Sequence, residues 1–225
     1  MRAICVGDIH GDIDAVHRLR DRMSPRDFDY VFLLGDYSRG FRDPEENRCD
    51  IQTILEAFRG YKVWALPGNC DQTASVRTLQ ERGTCLHNRV LKLPEATIIG
   101  LGGSNVTPFG TPFEQDEVHL TRALEGLSDS VEKHSRVILM THTPPKDTRC
   151  DAIAGGHHVG STAVRRYIET WKPELALCAH IHEAGGEEDR IGETRVVNLG
   201  RLPDCPAWEL TAADYIDIKP YNGLK

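Results

Sequence analysis

Short, unbroken apolar runs alternate along this chain with segments whose apolar residues recur at three- and four-residue spacing. The runs predict strands over Arg2 to Val6, Tyr30 to Leu34, Lys62 to Ala65, Thr97 to Leu101, Val137 to Met140, Leu175 to Cys178 and Arg195 to Asn198. The helical spacing predicts helices over Ile13 to Met23, about Glu45 to Phe58, Thr73 to Gln80, Glu114 to Leu127 and Ser161 to Trp171. Strands that are apolar at nearly every position suit a sheet covered on both faces. The alternation predicts an α/β protein in which each loop following a strand is a candidate site. In the tail, Asp204 to Lys225, Trp208-Glu209-Leu210 and Tyr215 to Ile218 add two strand candidates with no functional reading. The 225 residues carry no repeat, low-complexity tract or long linker, so one domain spanning 1–225 is expected.

The polar residues that interrupt this pattern collect after the strands. The clusters are Gly7-Asp8-Ile9-His10-Gly11-Asp12, Gly35-Asp36-Tyr37-Ser38-Arg39-Gly40, Pro67-Gly68-Asn69-Cys70-Asp71, Thr141-His142-Thr143-Pro144-Pro145 and Ala179-His180-Ile181-His182-Glu183. Ligands of open α/β sheets bind beyond the carboxyl ends of strands, and five such ends here each deliver Asp, Asn or His. Asp8 and His10 share a side if the strand continues through them, as do His180 and His182. Taken singly, Asp8, Asp36 and Asn69 beside glycine fit ordinary turns, and His142 before Pro-Pro fits a loop histidine. Taken together, Asp8, His10, Asp36, Asn69, His142, His180 and His182 point to metal binding. Mixed oxygen and imidazole donors suit Mn, Fe, Zn, Co or Ni better than Ca. Seven donors exceed the needs of one ion. Two ions about 3.5–4 Å apart, bridged by one carboxylate, use them all and can aim a hydroxide in line at phosphorus.

Charge narrows the partners. With 27 basic and 34 acidic residues the formal net charge is -7, so diffuse attraction to nucleic acid or anionic membranes is not expected. No apolar run approaches the ~20 residues that span a bilayer, and the first residues do not read as a signal peptide. The seven cysteines are scattered without a C-x-x-C pair, so most are expected to be reduced, buried small apolar residues of a cytoplasmic protein.

The ordered set D-x-H, G-D, G-N, a lone His and H-x-H resembles the calcineurin-like metallophosphoesterase superfamily over nearly the whole chain. The resemblance implies a four-layer α-β-β-α sandwich of two mixed sheets with flanking helices. It also implies a ligand set: Asp8, His10 and His182 on a first metal, Asn69, His142 and His180 on a second, and Asp36 between them. Gly102-Gly103-Ser104-Asn105, Pro108-Phe109-Gly110-Thr111-Pro112, Thr141-His142-Thr143-Pro144-Pro145, His158-Val159-Gly160-Ser161 and Val197-Asn198-Leu199-Gly200 resemble the small single-domain branch related to bacterial cyclic-AMP phosphodiesterases.

Two positions depart from that pattern. Cys70 stands where the family usually carries a histidine that contacts phosphate and is a candidate general acid for the leaving group. A thiol is the poorer proton donor there and carries no fixed charge, which predicts a bias toward esters with good leaving groups; packing beneath the loop is the alternative role. Ala179 stands where glycine is usual, and one methyl is expected to leave the ligands in place. Arg39 fits either a bidentate phosphate donor or a solvated loop residue. His157 or His158 could replace the missing histidine, with a surface position as the default. Glu183 and Asp12 fit ligand orientation or helix capping.

The expectation is a metal-dependent phosphoesterase that hydrolyses phosphodiesters with two divalent ions, Mn first and Fe, Zn, Co or Ni next, acting through a metal-bridging hydroxide. The catalytic residues expected are Asp36, Asn69, His142, Cys70 and Arg39. The substrate expected is a small phosphate ester, a nucleotide among the candidates, with no membrane partner and large nucleic acid disfavoured; a homodimer is compatible with the chain. The alternatives are a phosphomonoesterase or protein phosphatase, and a scaffold of the same fold.

Overall fold

Along the first strand, Ala3 and Cys5 enter one apolar core while Ile4 and Val6 enter another. The same division repeats with Phe32 and Leu34 against Val31 and Leu33, and with Ile138 and Met140 against Leu139. Period-two side chains on strands covered from both faces produce this division, and it explains why the sequence shows solid apolar runs. The computed structural model describes residues 1–24, 26–40, 43–132 and 135–222.

In chain order the elements are β1 (Arg2–Val6), α1 (Ile13–Arg22), β2 (Tyr30–Leu33), α2 (Pro44–Ala57), β3 (Lys62–Ala65), α3 (Ser75–Glu81), β4 (Arg89–Lys92) and β5 (Thr97–Leu101). There follow β6 (Ser104–Asn105), β7 (Glu114–Gln115), α4 (Glu117–Ser128), β8 (Val137–Thr141), β9 (Ala152–Ile153), β10 (His157–His158) and α5 (Thr162–Trp171). The chain then continues through β11 (Leu175–Cys178), β12 (Glu188–Ile191), β13 (Thr194–Asn198), β14 (Trp208–Ala212) and β15 (Ile216–Pro220).

Two mixed sheets dominate, ordered β15-β14-β1-β2-β3 and β12-β13-β11-β8-β5-β4. The first is parallel across β1, β2 and β3 and antiparallel at β14 and β15. The second is parallel across β13, β11, β8 and β5 and antiparallel at its edges, β12 and β4. One core lies between the sheets and includes Phe32, Leu66, Ile98, Met140, Leu177 and Trp208. A second packs α1, α2 and α3 on the outer face of the first sheet through Val16, Leu19, Ile51, Ile54, Phe58 and Leu79. A third packs α4 and α5 on the second sheet through Leu120, Leu124, Val164 and Ile168. The result is the expected α-β-β-α sandwich.

Side-chain caps set the starts of α1, α2, α4 and α5, while α3 follows Ala74 without one. Asp12, Asp43, Asp116 and Ser161 each accept a backbone N–H of the following turn. The helix expected to begin at Glu114 therefore begins at Glu117. Glu114 and Gln115 instead pair with β6, and Asp116 caps the helix by accepting from His119 N at 2.8 Å. Strands β4 and β12, absent from the sequence expectation, are polar edge strands. The tail forms β14 and β15 as expected, each running two residues further. All seven cysteines are free, but only Cys5, Cys85, Cys150 and Cys178 are buried; Cys49 is exposed and Cys70 and Cys205 are half-buried. Among the described residues no helix is long and apolar enough to cross a membrane.

Candidate metal centre

The carboxyl ends of β1, β2, β3, β8 and β11 converge from both sheets on one edge of the sandwich. Backbone bonds lock their loops together. His10 N donates to Asp36 O at 2.8 Å, Gly11 N to Tyr37 O at 2.8 Å and Ala179 N to His142 O at 2.9 Å. Four of the candidate residues adopt left-handed backbone: Asp8 (φ 45°), His10 (φ 47°), Asp36 (φ 52°) and His180 (φ 71°). Such conformations are uncommon for residues with a Cβ and persist where the surrounding structure over-determines them.

The donor atoms form three overlapping groups: Asp8, His10 and His182; His10, Asp36 and Cys70; and Asp8, Asp36 and His142, with the atoms of each group within 4.8 Å of one another. Asp36 stands between the two histidine sets. Its Oδ2 is 3.5 Å from His10 Nε2 and its Oδ1 is 3.5 Å from His142 Nε2. His10 Nε2 and His182 Nε2 face each other at 3.1 Å, and His182 Nε2 is 3.7 Å from Asp8 Oδ2. Asn69 Oδ1 is 2.9 Å from His142 Nε2. The His180 ring centroid is 5.2 Å from that of His142, and the His180 backbone N donates to Asp8 Oδ2 at 2.8 Å.

Neighbouring groups aim these donors. His142 Nδ1 lies 2.6 Å from Leu34 O and His10 Nδ1 3.3 Å from Ser38 O. A carbonyl at Nδ1 takes the N–H and leaves the Nε2 lone pair facing inward. Asn69 Nδ2 donates to Thr111 Oγ1 at 3.0 Å, and Thr111 Oγ1 donates to Glu114 Oε1 at 2.6 Å, so Asn69 presents its oxygen to the cluster. Buried Asp71 accepts from Gly68 N at 2.8 Å, Asp36 N at 2.9 Å, Tyr37 N at 3.0 Å and Asn47 Nδ2 at 3.0 Å. A Cβ on Gly68 would lie 2.0 Å from Asp36 Oδ1, so only glycine admits that carboxylate.

The donor set fits divalent cations. Asp8, Asp36 and His142 are buried, and Asp8 Oδ1 has no hydrogen-bond partner, an arrangement that is costly without a cation. The His142 Nε2 lone pair meets two acceptor oxygens, which calls for positive charge between them. The titration behaviour says the same. Burial alone lowers a histidine's pKa, but the charge and hydrogen bond of Asp36, the Asp8 charge and the Leu34 carbonyl together outweigh it and His142 is pushed up to about 9. Burial and the Asp36 charge together push Asp8 up to about 8. Asp36 is buried too, yet the adjoining His142 and His10 hold it below the usual carboxylate range. Burial lowers His180 to about 3 and also lowers His10 and His182, keeping their lone pairs free at neutral pH.

The cleft over this cluster has a volume of about 550 Å³ and is reached by Cys70, His180, His182 and Glu183. Burial and the Asp36 charge raise the Cys70 thiol, so it stays protonated. Arg39 is exposed and does not line the cleft. His157 and His158 do not line it either; His158 Nδ1 instead pairs with buried Asp151 at 2.7 Å. Asp12 caps α1. The positioning roles of Asp71, Asn47, Thr111 and Glu114 were not assigned from sequence. Thr111 sits in one of the quoted family-like runs and Asp71 ends the third loop, but neither carries a motif that names its partners.

A family model described as calcineurin-like phosphoesterase matches residues 1–184. An uncharacterised protein of Methanocaldococcus jannaschii, MJ1162, is 30% identical over 203 residues, covering 88% of this chain and 87% of that protein. Among solved structures, TT1561 of Thermus thermophilus superposes with a TM-score of 0.71 at 18% identity, covering 97% of this chain and 98% of that one. A dimetal phosphatase from Danio rerio superposes with a TM-score of 0.70 at 13% identity, covering 98% and 95%.

Proposed function

Because the chain belongs to the calcineurin-like phosphoesterase family, a family of dinuclear metal-dependent hydrolases, we propose that it hydrolyses phosphodiesters. In this reading Asp8, His10 and His182 hold one divalent ion, Asn69, His142 and His180 hold the other, and Asp36 is shared. Bound there, the ions supply Lewis acidity toward the phosphoryl group and the attacking water.

The protein's own groups do the rest. Asp71 fixes the Asp36 and Gly68 backbone from beneath, so the shared carboxylate is placed before substrate arrives. The Leu34 carbonyl holds the Nδ1 proton of His142 and keeps its Nε2 available. Glu114 and Thr111 orient the Asn69 amide.

The observation that carries diester over monoester is Cys70. At the mouth of the cluster it offers a neutral thiol in place of a cationic side chain, and among the described residues no lysine or arginine lines the cleft. A diester brings one negative charge and a monoester up to two, so the less charged ester is the better match. The test is hydrolysis of bis(4-nitrophenyl) phosphate and 4-nitrophenyl phosphate after chelation and after re-addition of Mn(II). Diester turnover that requires metal and falls at least about 100-fold in Asp36→Asn is expected, a loss of roughly 3 kcal/mol in transition-state stabilisation. Faster monoester turnover would sink the diester reading, and turnover of neither with Mn(II) bound would sink the enzyme reading.

A further inference from the structure

Beside the Asp/His cluster, the cleft has an apolar wall that the reaction itself does not use. Val106, Pro108, Phe109, Ile153, Val159 and Ile181 line the same cavity as His10, Asp36 and His182. Phe109 is 76% exposed and Val106 65%, the most exposed phenylalanine and valine side chains among the described residues. A lone exposed apolar residue needs no explanation. Here two of them lie on one loop beside the cluster, with four further apolar residues completing the wall.

The wall is built from anchored pieces. Thr107 Oγ1 and the Thr111 backbone N donate to the Glu114 carboxylate at 2.5 and 2.7 Å, and Phe109 N donates to Thr107 Oγ1 at 3.1 Å. Asn105 joins the other segments: its Nδ2 donates to Val159 O at 3.0 Å, and its Oδ1 accepts from Thr143 Oγ1 at 2.6 Å. Glu114 therefore both presents Phe109 and, through Thr111, orients Asn69. The electrostatics select the occupant. No lysine or arginine is on the lining among the described residues, while Glu183 is, so a polyphosphate or an acidic extension is poorly received. With a phosphate on the cluster, as the phosphodiester reading has it, the apolar wall is the neighbouring protein surface for an uncharged group attached to that phosphate.

We propose that Phe109, with Val106 and Ile153 beside it, forms a shelf that holds a planar uncharged group of the substrate, making the preferred class aromatic phosphate esters, nucleobase-bearing ones included, over alkyl esters. This inference rests on the phosphodiester reading and names its substrate class. Stacking on an exposed aromatic platform is sequence- and substituent-tolerant, since it needs only a π-face.

The test is calorimetric binding of phenylphosphonate and methylphosphonate to the Mn(II)-loaded protein, alongside turnover of bis(4-nitrophenyl) phosphate. Phenylphosphonate is expected to bind about 5- to 10-fold more tightly than methylphosphonate, the lower end of what one stacking contact supplies. Phe109→Ala should bring the two within about 2-fold while leaving methylphosphonate affinity unchanged, and Phe109→Tyr should keep the preference. Equal binding by the unmodified protein, or a preference that survives Phe109→Ala, overturns the shelf. If diester turnover persists in either of those cases, the phosphoesterase reading stands without it. If neither phosphonate binds and no ester turns over, both fall together.

Discussion

His142 shows how single residues set this centre. Its Nδ1 is committed to the Leu34 carbonyl at 2.6 Å, and its Nε2 faces Asn69 and Asp36. The residue types were legible in the sequence, because Asp, Asn and His declare their donor chemistry wherever they stand. What the sequence hid is Asp71, whose partners are backbone N–H groups of Asp36 and Tyr37, contributed 35 and 34 residues away. Backbone donors leave no trace in residue identity. Cys70 was legible as a departure, and the structure supplies its consequence: burial and the Asp36 charge keep the thiol protonated, so it offers a weak, neutral donor. A Cys70→His variant is therefore expected to gain about 10-fold or more on diesters with poor leaving groups and little on nitrophenyl esters, since general acid catalysis matters most where the leaving group is basic. A series of aryl diesters of graded leaving-group pKa reads this directly; an unchanged dependence on leaving group would show that position 70 does not handle the proton.

At the scale of elements, the site depends on how closely two loops approach. Asp8 and His180 are brought together by the loops after β1 and β11, and the contact lies where Gly7 meets Ala179. A Cβ on Gly7 would sit 2.7 Å from the Ala179 Cβ and 3.2 Å from Gly200 O. Ala179 is the position where the family-like pattern has glycine, and the structure shows that its methyl is received because Gly7 has none. Gly7→Ala is expected to destabilise the protein by about 1–3 kcal/mol through overpacking. Ala179→Gly added to it should return more than half of that loss, a coupling that a double-mutant cycle of urea midpoints measures. Strict additivity would mean the Gly200 carbonyl, not the Ala179 methyl, limits the approach. Elements with strong apolar signals were legible to within a few residues. Edge strands β4 and β12 were not, since their polar composition reflects solvent on one side, and the true start of α4 depended on Asp116 capping against a pairing of Glu114 with Ser104.

For the whole molecule, periodicity alone gave only α/β, and the four-layer arrangement came from the resemblance. That two sheets pack face to face is settled by which alternate residues share a core, and a single strand's pattern does not name its partner across the interface. One residue that ties together the ends of β4 and β5 within the second sheet is His87, which carries no motif. It lies just before β4, and its Nδ1 accepts from Gly102 N, just past β5, at 2.9 Å, with its ring 5.3 Å from that of Phe113. Burial lowers its pKa from 6.5 to about 4. The folded state thus binds fewer protons than the unfolded chain between those values. Stability from His87 is complete above about pH 6.5 and is lost as pH falls toward 4, by about 2–3 kcal/mol at pH 4.5. His87→Asn places an amide oxygen where Nδ1 accepts and removes the titration. Urea unfolding of the chelated protein at pH 7 and pH 4.5 should show a smaller acid loss in the variant by that amount. Chelation keeps the protonation of the Asp/His cluster the same in both proteins, so the difference belongs to His87. An equal acid loss in the two would show that the imidazole charges and gives up its bond from Gly102 N–H at no cost to the fold, and the connection from β4 to β5 would then not be what acid undoes first.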